Sequence, residues 1–584
     1  MAITGRQRLR AAGLTVAVAA VAFGLSIGGS QAAQSTTTEV QVLAFNDFHG
    51  NLAVNPATSS SGNVNGIPAG GAEYLTTHLK RLRAEAKAQG AQSVTVAAGD
   101  LIGASPLLSA AFHDEPTIEA MNLLGLDTSS VGNHEFDEGW QELLRMQDGG
   151  CLPDGDGQNN QNSCANPDQP FTGADFTYLS ANVTYENTAT TLLKPYTIKT
   201  FKNSQKIGFI GMTLENTPNI VTASGVAGLS FKDEVNTANA LVPVLKSKGV
   251  NAIVVLVHEG GFPIDPKAYN ACPGITGPIL DINAGLDPAI DAIISGHTHQ
   301  GYNCTLTDKA GQARPVTSAA SFGKLITDIR FTIDNATGDI DRSKTVANNV
   351  IVNHDVARDP NTTTLVSKYQ TLVAPIANKV IGHITTPTVT KTTDTSLESP
   401  LGNLIADAQL ADPSTVTGGK TPVAAFMNPG GIRADLVASN GGEITFGAAF
   451  TVQPFNNYLV SMDMTGTQIK DLLEQQFSGS NGPEEPKFKV LQVAGITYTW
   501  NPAAPAGSKV VAGSIKIAGQ PLDDATSYRI VTNNFLSDGS DGFPAFKTAT
   551  NKYFGGLDID AFSKYLTAHD PYTPVTTDRI STGS

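Results

Sequence analysis

Short apolar runs rich in β-branched residues recur through the first half of the sequence and constrain its fold more than any other feature. They are Val40–Phe45, Ser93–Ala98, Ser129–Val131, Ile207–Gly211, Ala252–Val257 and Ala292–Ile294. Runs of this length and composition are typical of buried β-strands. Helical patterns such as Ala72–Lys87 and Asn236–Lys248 lie between several of them. This alternation of strands and helices predicts an α/β fold.

The chain is too long for a single hydrophobic core. It has 584 residues, of which 40% are hydrophobic and 16% charged, so we expect a globular protein with at least two domains. Acidic residues outnumber basic residues by 53 to 38, which argues against binding to a nucleic-acid polymer. An acidic protein of this kind can hold phosphate only through a local positive site.

The N-terminal residues have the pattern of an export signal. Arg6, Arg8 and Arg10 precede an apolar stretch that reaches Ile27, and Ser30-Gln31-Ala32 offers small residues for cleavage. The apolar stretch is short and rich in Ala and Gly, which favours a signal peptide over residues 1–32 rather than a membrane anchor. We therefore expect a secreted, soluble and monomeric mature protein.

Four cysteines become informative once export is assumed. The neighbouring pairs are Cys151 with Cys164 and Cys272 with Cys304, and each pair would close a local loop in an oxidising compartment. Each such loop stabilises the fold by roughly 3–4 kcal/mol on the chain-entropy model. The other connectivities stay open. A zinc thiolate site is disfavoured because the sequence has no C-x-x-C spacing.

A Gly, Asn and Asp loop lies between the first two cysteines. Its Asp154-Gly155-Asp156-Gly157 segment resembles a calcium-binding loop, but Asn159 and Ala165 stand where such a loop needs Gly and Glu. The sequence therefore favours a plain disulfide-closed loop over a calcium site.

The character of the sequence changes between residues 348 and 388. A predicted helix, Thr363–Lys379, follows Pro360 and precedes the Thr-rich stretch Thr385–Thr395. Pro375 inside this pattern is expected to kink or shorten the helix. We interpret the segment as a linker between a first domain, residues 38–347, and a second domain of mixed helix and strand, residues 389–584.

Polar residues with metal-binding side chains follow five of the predicted strands. They are Asp47, His49, Asp100, Asn133, His258, His297 and His299. Ligands gather at the carboxyl ends of strands in α/β sheets, so we expect these side chains to form one metal site. Mixed carboxylate and imidazole ligands suit zinc, manganese or iron. Seven ligands exceed the need of one tetrahedral ion, whereas two ions about 3.5–4 Å apart would use them all.

These blocks resemble the calcineurin-like metallophosphoesterases, whose pattern is D-x-H, G-D, G-N-H-[DE], H and G-H-x-H in this order. The resemblance implies a four-layer α/β/β/α sandwich. It also implies that one metal is held by Asp47, His49, Asp100 and His299. The other metal would be held by Asp100, Asn133, His258 and His297, with Asp100 as the bridge. His134 would be the catalytic histidine, and Asp137 the acid that orients it.

The chemistry of phosphate-ester hydrolysis requires such groups because the uncatalysed reaction is extremely slow. Two divalent ions lower the pKa of a water molecule that attacks phosphorus, and they neutralise the phosphate oxygens. A histidine held by Asp137 can stabilise the developing charge or protonate the leaving oxygen.

Four blocks in the second half narrow the substrate class. Leu401–Ala408, Asn428–Arg433, Pro454–Asn457 and Asn534–Phe543 occur in this order, and together with the metal blocks they resemble the 5′-nucleotidase/UDP-sugar hydrolase family. The fork of the arginine side chain in the second block fits phosphate oxygens. Two phenylalanines would sandwich a flat base, and the resemblance implies that an aspartate accepts hydrogen bonds from ribose. The predicted substrate-binding residues are Asn428, Arg433, Phe455, Asn457, Phe535 and Asp541.

The sequence therefore predicts a secreted two-metal phosphohydrolase that releases phosphate from nucleotides. One departure from the family pattern is that Asp394–Leu401 contains no arginine, so the phosphate grip would rest on Arg433 and the metals. Nucleotide diphosphates, cyclic nucleotides and UDP-sugars stay open as substrates, with a phosphodiesterase or pyrophosphatase as the alternative activity. A zinc amidase is disfavoured because His299 is not followed by the Asp-His that such enzymes need. A non-enzymatic nucleotide-binding protein is disfavoured by the intact His134 and Asp137 pair.

Overall fold

The protein is described by a computed structural model that covers residues 35–57, 61–154, 161–165, 170–482 and 487–583. The contacts of the chain place Thr37–Ser584 in one unit. The predicted signal peptide and residues 155–160 of the calcium-like loop lie outside the described residues. Among the helices that are described, none is both long and apolar enough to cross a membrane.

The first half of the chain forms strands and helices in alternation, as predicted. The strands are β1 Thr37–Phe45, β2 Asn63–Val64, β3 Ile67–Pro68, β4 Gln92–Ala98, β5 Thr128–Ser130, β6 Thr177–Leu179, β7 Val183–Tyr185, β8 Tyr196–Thr200, β9 Lys206–Thr213, β10 Leu229–Phe231, β11 Ala252–His258, β12 Ala292–Ser295, β13 Gly301–Thr307, β14 Ala313–Ala319, β15 Leu325–Asp334, β16 Asp339–Ile340 and β17 Val346–Ile351. The helices are α1 Ala72–Ala88, α2 Leu107–Ala110, α3 Glu115–Leu124, α4 Trp140–Asp148, α5 Glu234–Ser247 and α6 Ile279–Gly285. All six predicted strands and both predicted helices are present, with ends shifted by a few residues.

Two mixed sheets organise this half. The first has the order β16–β15–β1–β4–β5–β6, with β17 also paired to β15, and the second has the order β13–β14–β12–β11–β9–β8. Strands β1, β4, β5 and β6 run parallel to one another, and so do β9, β11, β12 and β14. Each sheet therefore has a parallel centre whose strands end at a shared edge.

The two sheets pack face to face, with helices on both outer faces. Alternate residues of β1 such as Val40 and Val42 meet residues of β9 and β11 such as Phe209 and Val254 in one buried cluster. The opposite faces pack against α1 and α3 on one side and against α5 and α6 on the other. Burial of both faces explains why these strands are continuous apolar runs. The predicted four-layer α/β/β/α sandwich is confirmed.

A long helix, α7 Pro360–Ala377, follows the sandwich. Asp359 caps its N-terminus by accepting a hydrogen bond from the Thr362 N–H at 3.1 Å, and Pro360 occupies the first turn, where it costs no backbone bond. The helix continues through Pro375 and ends at Ala377, two residues before the predicted end at Lys379. Tyr369 ties α7 to the first half, because its hydroxyl donates to Glu119 at 3.0 Å. The assignment of residues 348–388 as a linker stays a prediction.

The second half is a mixed α/β domain. Its strands are β18 Val380–His383, β19 Thr388–Val389, β20 Ala424–Met427, β21 Leu436–Val437, β22 Glu443–Thr445, β23 Tyr458–Thr465, β24 Gln492–Ala494, β25 Ile496–Trp500, β26 Lys516–Ile517, β27 Gln520–Pro521, β28 Ser527–Asn533, β29 Thr550–Leu557 and β30 Ile580–Thr582. Its helices are α8 Pro400–Ala411, α9 Phe446–Val452, α10 Gly466–Gln475, α11 Asn534–Ser537 and α12 Asp558–Ala568. The main sheet has the order β24–β20–β28–β23–β29; residues of α8 and α12 cover one face, and residues of α10 cover the other.

Both preferred cysteine pairs are disulfide-bonded. Cys151 is joined to Cys164, and Cys272 is joined to Cys304. The predicted connectivity is therefore the one that the structure has.

Candidate active site

The edge where the parallel strands end carries every predicted metal ligand. Strands β1, β4 and β5 end just before Asp47, Asp100 and Asn133 in the first sheet, and β11 ends at His258 in the second. The loop after β12 supplies His297 and His299. The site is thus shared between the two sheets of the sandwich.

Two groups of ligand atoms lie close enough to hold an ion each. In the first group, atoms of Asp47, His49 and His299 lie within 4.8 Å of one another, and in the second the same is true of Asp100, His258 and His297. Asp100 connects the groups, because its Oδ2 atom lies 3.5 Å from His49 Nε2 and 2.9 Å from His258 Nε2. The seventh predicted ligand, Asn133, joins them with its Oδ1 atom 3.0 Å from His297 Nδ1.

The backbone around this cluster is held in unusual conformations. The residues with left-handed φ angles of 47° to 69° include Asp47, His49, Asp100, His297 and His299. Such angles cost about 1–3 kcal/mol each for a residue other than glycine, and they persist mainly at functional sites. Glycines allow the loops to approach, since a Cβ on Gly132 would lie only 2.1 Å from Asp100 Oδ1.

Backbone carbonyls orient two of the predicted histidine ligands, His49 and His258. His49 Nδ1 donates to the carbonyl of Gly103, and His258 Nδ1 donates to the carbonyl of Ala98, both at 2.8 Å. These bonds fix the tautomer and leave each Nε2 lone pair directed at the cluster. His258 Nε2 is buried and, among the residues that the structure describes, has no partner in hydrogen-bond geometry. An unsatisfied buried nitrogen beside carboxylates fits a divalent metal ion.

His134 lies beside this cluster in the short turn His134–Phe136. Its Nδ1 atom donates to Asp137 Oδ2 at 2.8 Å, and its backbone N–H donates to Asp100 Oδ1 at 2.9 Å. Burial lowers the pKa of His134, but the charges of Asp137 and Asp100 outweigh burial and raise it. The two carboxylates therefore favour the protonated imidazole beside the predicted metal ligands.

Sequence reasoning missed the carboxylate that holds these loops together. Glu135 accepts hydrogen bonds from the backbone N–H groups of Asp100, Leu101 and Gly132 at 2.9, 2.8 and 2.5 Å. A single buried side chain thus fixes the segments that carry Asp100 and Asn133. The acidic fourth position of the G-N-H-[DE] block was the available signal.

A cavity of about 280 Å³ opens from the cluster into the second half of the chain. Its walls include Asn133, His134, Asp137 and His297 from the sandwich. They also include all six predicted substrate-binding residues: Asn428, Arg433, Phe455, Asn457, Phe535 and Asp541. The structure therefore brings both predicted sets into one pocket.

The end of this cavity beside His134 combines a cation with an aromatic ring. Arg433 Cζ lies 5.9 Å from the centre of the Phe455 ring, and that ring lies 5.8 Å from the His134 ring with an angle of 25° between them. Burial lowers the pKa of the Arg433 guanidinium, whereas Asp100, Asp137 and Asp47 act to raise it. Arg433 thus lies within electrostatic reach of the metal ligands.

Two lysines lie near the cavity, and no motif in the sequence indicated either of them as a site residue. Lys489 lines the cavity and forms an ion pair with Asp541, whose other oxygen accepts a hydrogen bond from Asn428 at 3.3 Å. Lys391 Nζ donates to the carbonyl of Ile432 at 2.8 Å, next to Arg433. Burial and the charge of Arg433 lower the pKa of Lys391 to about 8. A basic residue therefore stands close to the arginine-free segment noted above.

The comparisons with known proteins agree with this geometry. Residues 40–301 match the calcineurin-like phosphoesterase family, and residues 380–548 match the 5′-nucleotidase C-terminal domain. A cell wall protein of Listeria monocytogenes is 32% identical over 96% of this chain and 70% of its own length. An endonuclease of Bacillus subtilis is 32% identical over 92% of this chain, which spans only 40% of that protein.

A solved structure shares the whole architecture. The crystal structure of a 5′-nucleotidase precursor from Thermus thermophilus has a TM-score of 0.73 and 26% identity, covering 93% of this chain and 99% of that one. The family expected from the sequence is confirmed. The chain belongs to the 5′-nucleotidase family of calcineurin-like phosphoesterases, and it is a metal-dependent phosphoester hydrolase.

Proposed function

We propose that this hydrolase releases phosphate from nucleotides at a site with two divalent metal ions. The observation that carries the proposal is the single cavity that joins the metal-ligand cluster to Arg433, two phenylalanines and Asp541. A phosphate group placed between the cluster and Arg433 would leave its nucleoside directed toward Phe535 and Asp541. Proteins of this family bind nucleotide substrates, which supports this orientation.

The two ions would share the ligands as the family pattern implies. Asp47, His49 and His299 would hold one ion, and Asn133, His258 and His297 the other, with Asp100 between them. The two atom groups described above and the position of Asp100 within 3.5 Å of a histidine in each support this division. When bound, such ions activate a water molecule and offset the charge of the phosphate oxygens. Zinc, manganese and iron suit this donor set.

The remaining chemistry falls to the chain's own residues. Asp137 fixes the orientation and the proton of His134, whose Nε2 then donates to a phosphate oxygen or to the leaving oxygen. Arg433 binds phosphate oxygens with its planar fork. Both interactions strengthen as negative charge develops on the oxygens in the transition state.

The far end of the cavity would bind the nucleoside. Phe455 and Phe535 line the cavity, with Phe455 on the side of His134, and both are partly exposed, as residues that stack on a base should be. Asp541 would accept hydrogen bonds from ribose hydroxyls, with Asn428 beside it and Asn457 on the adjoining wall. The cavity lies between two domains, as small-molecule sites often do, which favours a nucleotide over a nucleic-acid polymer.

We also propose that the protein is exported and acts outside the cytoplasm as a monomer. The signal-peptide pattern of residues 1–32 supports export, and so does the similarity to a Listeria cell wall protein. The two disulfides fit an oxidising compartment.

A substrate panel tests the proposed activity. Purified protein loaded with zinc or manganese is assayed for hydrolysis of AMP, ADP, UDP-glucose, 2′,3′- and 3′,5′-cyclic AMP and a small aryl phosphate. The organic products are separated by chromatography, because hydrolysis of UDP-glucose or of a cyclic nucleotide need not release free phosphate. We expect kcat/KM for at least one nucleotide to exceed that for the aryl phosphate by a factor of ten or more. Equal values for all substrates would contradict nucleotide recognition. A preference for cyclic nucleotides or UDP-glucose would replace the 5′-nucleotidase assignment with the phosphodiesterase or pyrophosphatase alternative.

A further inference from the structure

Two consecutive residues between α2 and α3 are held in a strained conformation. His113 and Asp114 have φ angles of 50° and 59°, in the left-handed region that non-glycine residues adopt only at a cost in free energy. Both are buried, with exposed fractions of 7% and 6%. A strained and buried polar turn of this kind is retained when it places its side chains where the fold needs them.

The side chain of His113 joins two carboxylates. Its Nδ1 atom donates to Glu138 Oε2 at 2.5 Å, and its Nε2 atom donates to Asp154 Oδ2 at 3.2 Å. Burial acts to lower the pKa of His113, but the hydrogen bond and charge of Glu138 and the charge of Glu142 raise it to about 9. The ring is therefore an imidazolium that donates from both nitrogens.

This arrangement is an ion pair rather than a further metal site. Atoms of His113, Glu138 and Glu142 lie close enough together to hold an ion. However, both ring nitrogens of His113 already face carboxylates, and both carboxylate oxygens of Glu142 accept hydrogen bonds from Arg145 at 2.9–3.0 Å. A doubly donating imidazolium has no lone pair for a metal.

The ion pair acts directly on the turn that carries His134. Glu138 follows Asp137, which accepts the hydrogen bond from His134 Nδ1. The second oxygen of Glu138 accepts a hydrogen bond from Gln161 at 2.8 Å, so both of its oxygens are held. His113, Glu138, Asp137 and His134 also line a common cavity of about 330 Å³, which shares His134 and Asp137 with the cavity of the candidate active site.

The other residue of the strained turn is linked to a predicted metal ligand through Gly103. Asp114 Oδ2 accepts a hydrogen bond from the backbone N–H of Gly103 at 3.1 Å. The carbonyl of Gly103 in turn accepts the hydrogen bond that orients His49. The two strained residues thus support the catalytic turn and a metal ligand from the same point of the chain.

We propose that His113 is a positioning residue of the active site: through Glu138 it holds Asp137 and His134 in place without touching the substrate. The inference rests on the proposed catalytic role of His134. It predicts that loss of the His113 contact changes the rate of the chemical step and leaves metal binding and substrate binding in place.

The test compares His113→Gln with a matched control. For His113→Gln we expect kcat to fall about tenfold for a nucleotide and for an aryl phosphate alike, because misplaced catalytic groups lose rate steeply. We expect KM to change less than twofold and the metal content to stay at the wild-type value. The control is His78→Gln, since His78 is also buried and bonds the carbonyl of Asn353 at 3.0 Å, outside both cavities. It should lower the melting temperature without lowering kcat.

A second variant keeps the test valid if His113→Gln folds poorly. The side chain of Glu138 is 37% exposed, so Glu138→Gln removes the negative charge that pairs with His113 with little effect on the core. It should lower kcat to a similar extent, and combining the two changes should cost no more than the larger single loss. His134→Ala is measured alongside. If His134→Ala keeps wild-type kcat, the proposed catalytic role is wrong. If His134→Ala loses activity while His113→Gln and Glu138→Gln keep wild-type kcat, the positioning role of His113 is wrong.

Discussion

The two phenylalanines of the cavity allow a test that separates nucleoside binding from phosphate chemistry. Phe535 lies in α11 near Asp541, whereas Phe455 lies 5.8 Å from the His134 ring and 5.9 Å from Arg433 Cζ. Stacking of a ring on a base contributes about 1–3 kcal/mol. At about 1.4 kcal/mol per factor of ten, Phe535→Ala should raise KM for nucleotides by roughly 5- to 150-fold.

The structure predicts a different result for the second ring. Phe455→Ala should raise nucleotide KM in the same range and should also disturb Arg433, which loses a cation–π contact of about 0.5–1 kcal/mol. Hydrolysis of a small aryl phosphate should therefore slow severalfold in Phe455→Ala and remain unchanged in Phe535→Ala.

Steady-state kinetics with AMP and an aryl phosphate measure both effects. The matched control is Phe554→Ala, because Phe554 is 57% exposed on β29, outside the cavity lining. It should leave both substrates unaffected. If Phe535→Ala stays folded and slows both substrates equally, Phe535 is a packing residue and the base-clamp assignment is refuted.

Three further changes test the assigned roles. Asp100→Asn should bring the metal content measured by mass spectrometry close to zero, whereas His49→Asn should remove about half, because one carboxylate oxygen of Asp100 approaches a histidine ring nitrogen in each group. Equal losses would contradict the bridging role. His134→Ala should keep both metals and lower kcat with little change in KM, and loss of the metals would show that His134 is itself a ligand. Lys489→Met should raise KM for ribonucleotides severalfold, because it releases Asp541 from its ion pair. The kinetics with an aryl phosphate should stay unchanged and serve as the control. An unchanged ribonucleotide KM would exclude a role for Lys489 in positioning the Asp541 side chain.

Much of the sandwich could be predicted from the sequence because its signals are local. A strand buried on both faces needs a continuous apolar run. The strands that end before Asp47, Asp100 and Asn133 contain such a run over all or part of their length. Parallel strands share an edge, so residues that follow them meet without any knowledge of distant contacts. The pairing of the cysteines could also be predicted, because each disulfide joins cysteines that are neighbours in the sequence.

Only the tertiary structure shows which distant residues come together to form the walls of the cavity. The contact between the Phe455 and His134 rings joins residues far apart in the sequence, and no local pattern records it. The sequence also gives no sign of the ion pair between Lys489 and Asp541, or of the contact between Lys391 and the backbone next to Arg433. Family resemblance placed the two residue sets in one enzyme, but it did not supply these contacts.

The turn that carries His134 shows most clearly what the sequence determined and what the tertiary structure decided. The resemblance to the family pattern indicated His134 and Asp137, and their separation of three residues brings the two side chains together within one turn. The left-handed angles at His113 and Asp114, and the bond from His113 to Glu138, depend on how α2 and α3 pack beside that turn. Local sequence fixes which chemical groups a strand end or turn carries, since periodicity and turn preferences act over a few residues. Packing between distant segments fixes where those groups point, because only the assembled core holds a strained backbone in place.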